Sequence, residues 1–143
     1  MIAYADTGFL VSLYGQDGNS AIATTLVRPK PVFPLTPLGE AEFTNAVELR
    51  VFRKEWTRRE ARSVNDLFLR HQAAGVFRMA PLGSDIWEKA LTLSRHHTAK
   101  LGTRTLDLLH VAAALVLKPD VFYTFDNRQR KLVRTQRLRI LPT

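Results

Sequence analysis

The stretch Ile2-Ala3-Tyr4-Ala5-Asp6-Thr7-Gly8-Phe9-Leu10 decides the reading of the fold. Residues 2–5 have the character of a buried strand, Asp6 ends it, and residues 8–14 take up helical spacing. Val121-Phe122-Tyr123-Thr124-Phe125-Asp126 repeats the device near the other end, with a strand over 121–125, an acid, and a basic helix over 127–136. Short apolar runs alternating with amphipathic stretches predict an α/β domain on a largely parallel sheet. Between the two units, residues 20–27 read as a helix. The prolines at 29, 31, 34 and 37 then break the chain and leave 32–35 as a short strand that Pro34 should keep near an edge. Thr36-Pro37 opens a helix to about Arg53, with a hydroxyl at the cap and proline at the first helical position. Thr57-Arg-Arg-Glu60 is a capping box for a helix to about Gln72, and Ser84-Asp85 starts another through about His97. Residues 106–117 are helical up to Pro119, and 138–141 form a last short strand.

The 143 residues predict one domain, 1–143, and 45% apolar content supplies its core without disulfides or a structural metal. Absence of cysteine removes thiol catalysis, zinc ribbons and Fe–S clusters. The longest apolar run, 111–117, falls far short of the ~20 residues of a membrane span. The N-terminus has no basic region followed by a long apolar one. The expectation is a soluble, cytoplasmic protein with no membrane association.

With 21 Lys and Arg against 13 Asp and Glu, the formal charge is +8, and its distribution matters more than its sum. Residues 50–62 hold six cations with Glu55 and Glu60 among them, whereas 128–139 hold six with no acid. Solvated helix faces and a nucleic-acid contact are both open readings of such runs.

Chemistry shows where acids sit in unusual surroundings. Asp6 and Asp126 both follow apolar strands, at the carboxyl ends where open α/β sheets place ligands. Helix 106–117 is apolar on every side except at Asp107 and His110, three residues apart on one face. Glu42 sits among Leu38, Ala41, Phe43 and Ala46, with Asn45 one turn on. Each acid has a plainer reading: Asp6 or Asp126 as a helix cap, Asp107 as a charge on a helix dipole or a partner of Arg104, Glu42 as a solvated residue. Four such readings leave their common arrangement unexplained. His110 reads as a packed helix histidine with local hydrogen bonds, His71, His96 and His97 as surface residues, and Trp56, Trp87 and the eight phenylalanines mostly as core anchors.

Tyr4-Ala-Asp6-Thr-Gly-Phe-Leu, Glu42-Phe-Thr-Asn45-Ala, Thr105-Leu-Asp107-Leu-Leu-His110-Val-Ala-Ala-Ala and Tyr123-Thr-Phe-Asp126-Asn-Arg, taken together, resemble the PIN domain and, within it, the VapC-type toxin ribonucleases of type II toxin–antitoxin systems. The resemblance spans essentially the whole chain. It implies a PIN-like, Rossmann-like three-layer α/β/α sandwich with a central mainly parallel sheet, and a metal-dependent ribonuclease whose acidic cluster is Asp6, Glu42, Asp107 and Asp126. It also implies that Thr124 orients a carboxylate or water, that Asn45 supports the Glu42 site, and that the chain forms a homodimer inhibited by a VapB-like antitoxin.

Carboxylates crowded together raise one another's pKa values, a conflict that a divalent cation resolves. All-oxygen donors select Mg²⁺ or Mn²⁺, while zinc would want His or Cys at spacings this chain lacks. Such an ion activates water and neutralises phosphate oxygens, and arginines hold the flanking phosphates of an RNA. Arg104, Arg128, Arg130, Lys131 and Arg134 are the candidate RNA contacts. A haloacid-dehalogenase-type phosphatase would need an acid where Gly8 stands, and the chain has no glycine-rich phosphate loop and no Gly-x-Ser-x-Gly elbow. The alternatives are a non-catalytic RNA-binding or scaffold domain of the same fold and a housekeeping RNA-processing nuclease.

Overall fold

A computed structural model describes all residues, Met1–Thr143. The elements follow in the order β1 (Ala3–Ala5), α1 (Thr7–Tyr14), α2 (Ser20–Leu26), β2 (Phe33–Leu35), α3 (Pro37–Phe52), α4 (Arg58–Ala73), β3 (Phe77–Met79), α5 (Ser84–Leu93), a π-helical turn (Ser94–Thr98), α6 (Ala99–Leu101), α7 (Thr105–Leu117), β4 (Val121–Tyr123), α8 (Asn127–Thr135) and β5 (Ile140–Leu141). Strands β1, β4 and β5 pair in parallel, as do β2 and β3, and a parallel bridge between Ile2 and Val32 joins the two groups. The resulting order is β3-β2-β1-β4-β5. The chain leaves β1 in one direction and later returns to its other side as β4, so the switch point lies between the carboxyl ends of these two strands.

Pleating sends alternate residues of the central strands into two cores. Ala3, Ala5, Val121 and Tyr123 face a layer built on α1 to α4, with Phe9, Phe43, Val47 and Phe68 at its centre. Tyr4 and Phe122 face the opposite layer of α5, α7 and α8. The result is the α/β/α sandwich. In α7, the run from Leu108 through Ala114 is buried, which explains why this helix carries so little polarity.

The structure corrects three expectations. Pro34 lies in β2, which is flanked on both sides. Val32 bonds to Met1 and Ala3, whereas Phe33 and Leu35 bond to the β3 side, so the missing N–H of Pro34 falls on the β1 side, where pairing has already shrunk to a single bridge. The outer strand is instead β3, which the sequence reading did not contain. It has only three residues, of which Phe77 alone is buried. Of the aromatic residues taken as core anchors, Trp87 and Phe52 are 48% and 82% exposed.

Candidate active site

Asp6, Glu42, Asp107 and Asp126 come from four different parts of the chain and line one cleft of about 170 Å³ at the switch point, together with Thr7, His110 and Gln129. Helix beginnings position three of the acids. Asp6 is the N-cap of α1, extended at φ −73° and ψ 168°, and accepts the Phe9 N–H at 2.8 Å. Asp126 is the N-cap of α8, and its Oδ1 accepts the N–H groups of Arg128 and Gln129 at 2.7 and 3.0 Å. Asp107 lies in the first turn of α7, where its Oδ2 accepts the Arg104 N–H at 3.2 Å. The capping readings are therefore correct, and they are also what aims these carboxylates at the cleft. Positive helix ends converge there as well.

Thr124 ties two of the acids together. Fully buried, it donates its hydroxyl to Asp6 Oδ2 in a short contact and accepts the Asp126 N–H at 2.9 Å. Glu42 is held differently. Its Oε1 accepts the Thr7 hydroxyl at 3.0 Å and a short contact from His110 Nε2, whose Nδ1 meets the Tyr4 hydroxyl at 2.8 Å. The sequence reading took the His110 bonds as local, but both reach across the fold. Thr7, Tyr4 and Gln129 were not singled out at all. The one signal for Thr7 and His110 was adjacency, to Asp6 in the chain and to Asp107 one turn along α7.

Burial pushes the Asp6 carboxyl above its ordinary range, against the opposing pull of the Thr124 and Phe9 donors. Glu42 is also raised by its burial, but the hydrogen bonds from His110 and Thr7 outweigh this and hold it below the usual value. Burial, with the nearby negative charges of Asp6 and Glu42, raises the Tyr4 phenol far above its normal value and keeps it protonated.

The donor set suits a hard cation. Oε2 of Glu42, Oδ1 of Asp107 and Oδ2 of Asp126 accept no protein donor. No three of these side chains stand together as a formed coordination shell. Gln129, 3% exposed, contributes a buried Oε1 without a partner.

Asn45 stands apart from this site. It is exposed and borders a shallow depression with Glu40, Thr44 and Glu48, because three residues along a helix fall about 60° short of a full turn. The guanidinium of Arg104 forms no ion pair with Asp107, which is engaged through backbone only. Arg128, Lys131 and Arg134 project from α8 into solvent, while Arg130 turns to the Pro142 carbonyl. In the other basic stretch, Arg50 pairs with Glu55 and Arg58 with Glu48, so part of its charge is cancelled locally. A larger cleft of about 470 Å³ between α1, α2 and α4 is lined by Leu13, Val27, Phe33, Leu67 and Val76, with no acid facing it.

A sequence profile of the PIN domain matches residues 3–134. No curated protein matches the sequence significantly. Among solved structures, VapC20 of Mycobacterium tuberculosis, described as a toxin that cleaves the sarcin-ricin loop, superposes with a TM-score of 0.68 at 21% identity, covering 90% of this chain and 93% of that one. VapBC2 of Rickettsia felis, solved with a DNA fragment from its promoter, gives 0.67 at 17% identity over 98% and 97% of the two chains. VapBC-1 of nontypeable Haemophilus influenzae gives 0.64 at 17% identity over 98% and 96%.

Proposed function

This chain belongs to the PIN domain family, and we propose that it is a metal-dependent endoribonuclease, the toxin of a type II toxin–antitoxin pair. The observation that carries this reading is the meeting of four carboxylates, from β1–α1, α3, α7 and β4–α8, in one cleft at the switch point. Asp6, Glu42, Asp107 and Asp126 would hold Mg²⁺ or Mn²⁺, the last three through oxygens that accept no protein donor, with Thr124 fixing Asp6. A bound divalent ion supplies Lewis acidity and makes water a stronger acid beside the scissile phosphate. The chain's own residues supply the rest. Asp126, the exposed acid of the four, lies on the open side of the cleft, and Thr124 ties the Asp6 carboxylate to the Asp126 backbone.

The cleft is negative and the substrate a polyanion, so cations must offset the repulsion. Exposed cations without an ion-pair partner would do this: Arg128, two residues after the cap residue Asp126, and Arg104, three residues before Asp107, with Lys131 and Arg134 farther along α8. An antitoxin of VapB type is the proposed partner. Its basic tail would neutralise the acids, and its apolar part would seat in the groove walled by α1, α2 and α4. The homodimer and the cytoplasmic location belong to the same reading. No helix is long and apolar enough to cross a membrane.

Expression of the chain alone should arrest growth, and Asp107→Asn should abolish both the arrest and Mn²⁺-dependent cleavage of generic RNA by the purified protein. Harmless expression with intact cleavage would favour a processing nuclease. Absence of cleavage with Mg²⁺ or Mn²⁺ would favour a scaffold.

A further inference from the structure

The three aspartates of the cleft are pinned by backbone N–H groups at helix ends, but Glu42 has no such support. It lies about a turn and a half into α3, beyond the first turn whose N–H groups are free. A half-buried glutamate without fixed donors would lose rotamer freedom on being ordered by a ligand. What holds it is a hydrogen-bonded chain that no step of the proposed reaction uses. Tyr4, on β1, stacks on Phe122 with ring centroids 5.2 Å apart and presents its hydroxyl to His110 Nδ1 at 2.8 Å. The opposite ring nitrogen, Nε2, contacts Glu42 Oε1, and both Tyr4 and His110 are 3% exposed.

The bonding pattern selects one tautomer. The Tyr4 hydroxyl has no other partner, so a hydrogen on His110 Nδ1 would leave the phenolic O–H buried without an acceptor. With Nδ1 bare, the phenol donates to it, and the hydrogen on Nε2 donates to Glu42. Every donor of the chain then has an acceptor. The geometry assigns Tyr4 and His110 as positioning residues that hold Glu42 by Oε1, together with Thr7, and leave Oε2 as the oxygen available to a cation. The assignment rests on reading the cleft as a metal-dependent nuclease site.

Its test uses the full chain with Mn²⁺ as the probe. In the metal-free wild type, long-range ¹H–¹⁵N spectra should show Nε2 of His110 carrying the hydrogen that faces Glu42 and Nδ1 accepting from Tyr4. Tyr4→Phe, which keeps the stacking and removes only the hydroxyl, should give mixed tautomers and raise the calorimetric Mn²⁺ Kd about tenfold. His110→Leu should raise it by up to about a hundredfold, the range expected when support behind a metal ligand is lost. His110→Gln, whose amide N–H can still reach Glu42, should recover most of the affinity. Should His110→Leu fail to fold, Tyr4→Phe and His110→Gln decide between them. A wild-type ring protonated at Nδ1, or a Kd for Tyr4→Phe within twofold of wild type, overturns the positioning role and leaves the nuclease reading intact. A wild-type chain that binds no Mn²⁺ removes both.

Discussion

Replacing Asp6 by asparagine should make the metal-free protein more stable at neutral pH, although the substitution weakens a helix cap. Asp6 is 5% exposed, has no cationic partner, and offsets its burial with only two donors, the Phe9 N–H and the Thr124 hydroxyl. Burying an ionised carboxylate without a counter-charge costs several kcal/mol, of which each donor returns about 1.5–3. Asparagine removes the charge and keeps a carbonyl for Phe9. Its amide meets Thr124, however, whose oxygen already accepts the Asp126 N–H, so the hydroxyl hydrogen loses its acceptor at about 1–3 kcal/mol. The Asp6 carboxyl stays above its ordinary range despite both donors, so the charge remains the larger cost and the variant should be the more stable at neutral pH; each kcal/mol of that difference raises Tm by about 3 °C for a domain of this size. The sign has a pH signature. Because the folded pKa of Asp6 lies above its ordinary value, the stability it contributes is full below about pH 4 and is lost as pH rises through the folded value. The advantage of Asp6→Asn should therefore be present at pH 7.5 and vanish by pH 4, with the wild type fully protonated there. Thermal unfolding of both proteins in EDTA across this range checks it, and adding Mn²⁺ at pH 7.5 should reverse the order. A variant that is less stable at pH 7.5, or an advantage independent of pH, would refute the argument that buried charge outweighs the cap.

Neutralising Arg128, Lys131 and Arg134 together should flatten the salt dependence of binding to single-stranded RNA by about two units of slope, read by fluorescence anisotropy on unrelated sequences; neutralising Arg50 and Arg58, each already paired, should change it far less. Phe43→Ala should cost about 3–5 kcal/mol by urea unfolding, because Phe43 is fully buried and stacks on Phe68 at 4.1 Å between centroids. Gly15→Ala should cost about 1–3 kcal/mol in the same assay, since an added Cβ would lie 2.3 Å from the Trp56 ring and 2.9 Å from the Val11 carbonyl.

What could be read from the sequence divides along a physical line. Signals written within one element were legible: the strand ending at Asp6, the start of the strand at Val121, which stops at Tyr123 short of the expected 125, the Thr57 cap that accepts the Glu60 N–H at 3.1 Å, and the proline that opens α3. Pairing between elements was not. Nothing in Phe77–Met79 marks a strand until β2 lies beside it, and Pro34 is harmless only because the β1 ladder ends at Val32. The same holds at the cleft. Asp6, Asp107 and Asp126 stand out because an acid beside a buried run is unusual, whereas the supports that fix Glu42 come from 35 and 68 residues away and have no local mark. Cap and site looked like rival readings of the aspartates because a sequence shows only one use for each residue. In the fold they are one arrangement. Capping occupies one oxygen of Asp107 and of Asp126 and leaves the other toward the cleft, so the helix ends that ask for an acid also aim it. Glu42 has no helix end to do this, and the Tyr4–His110 chain takes the place of one.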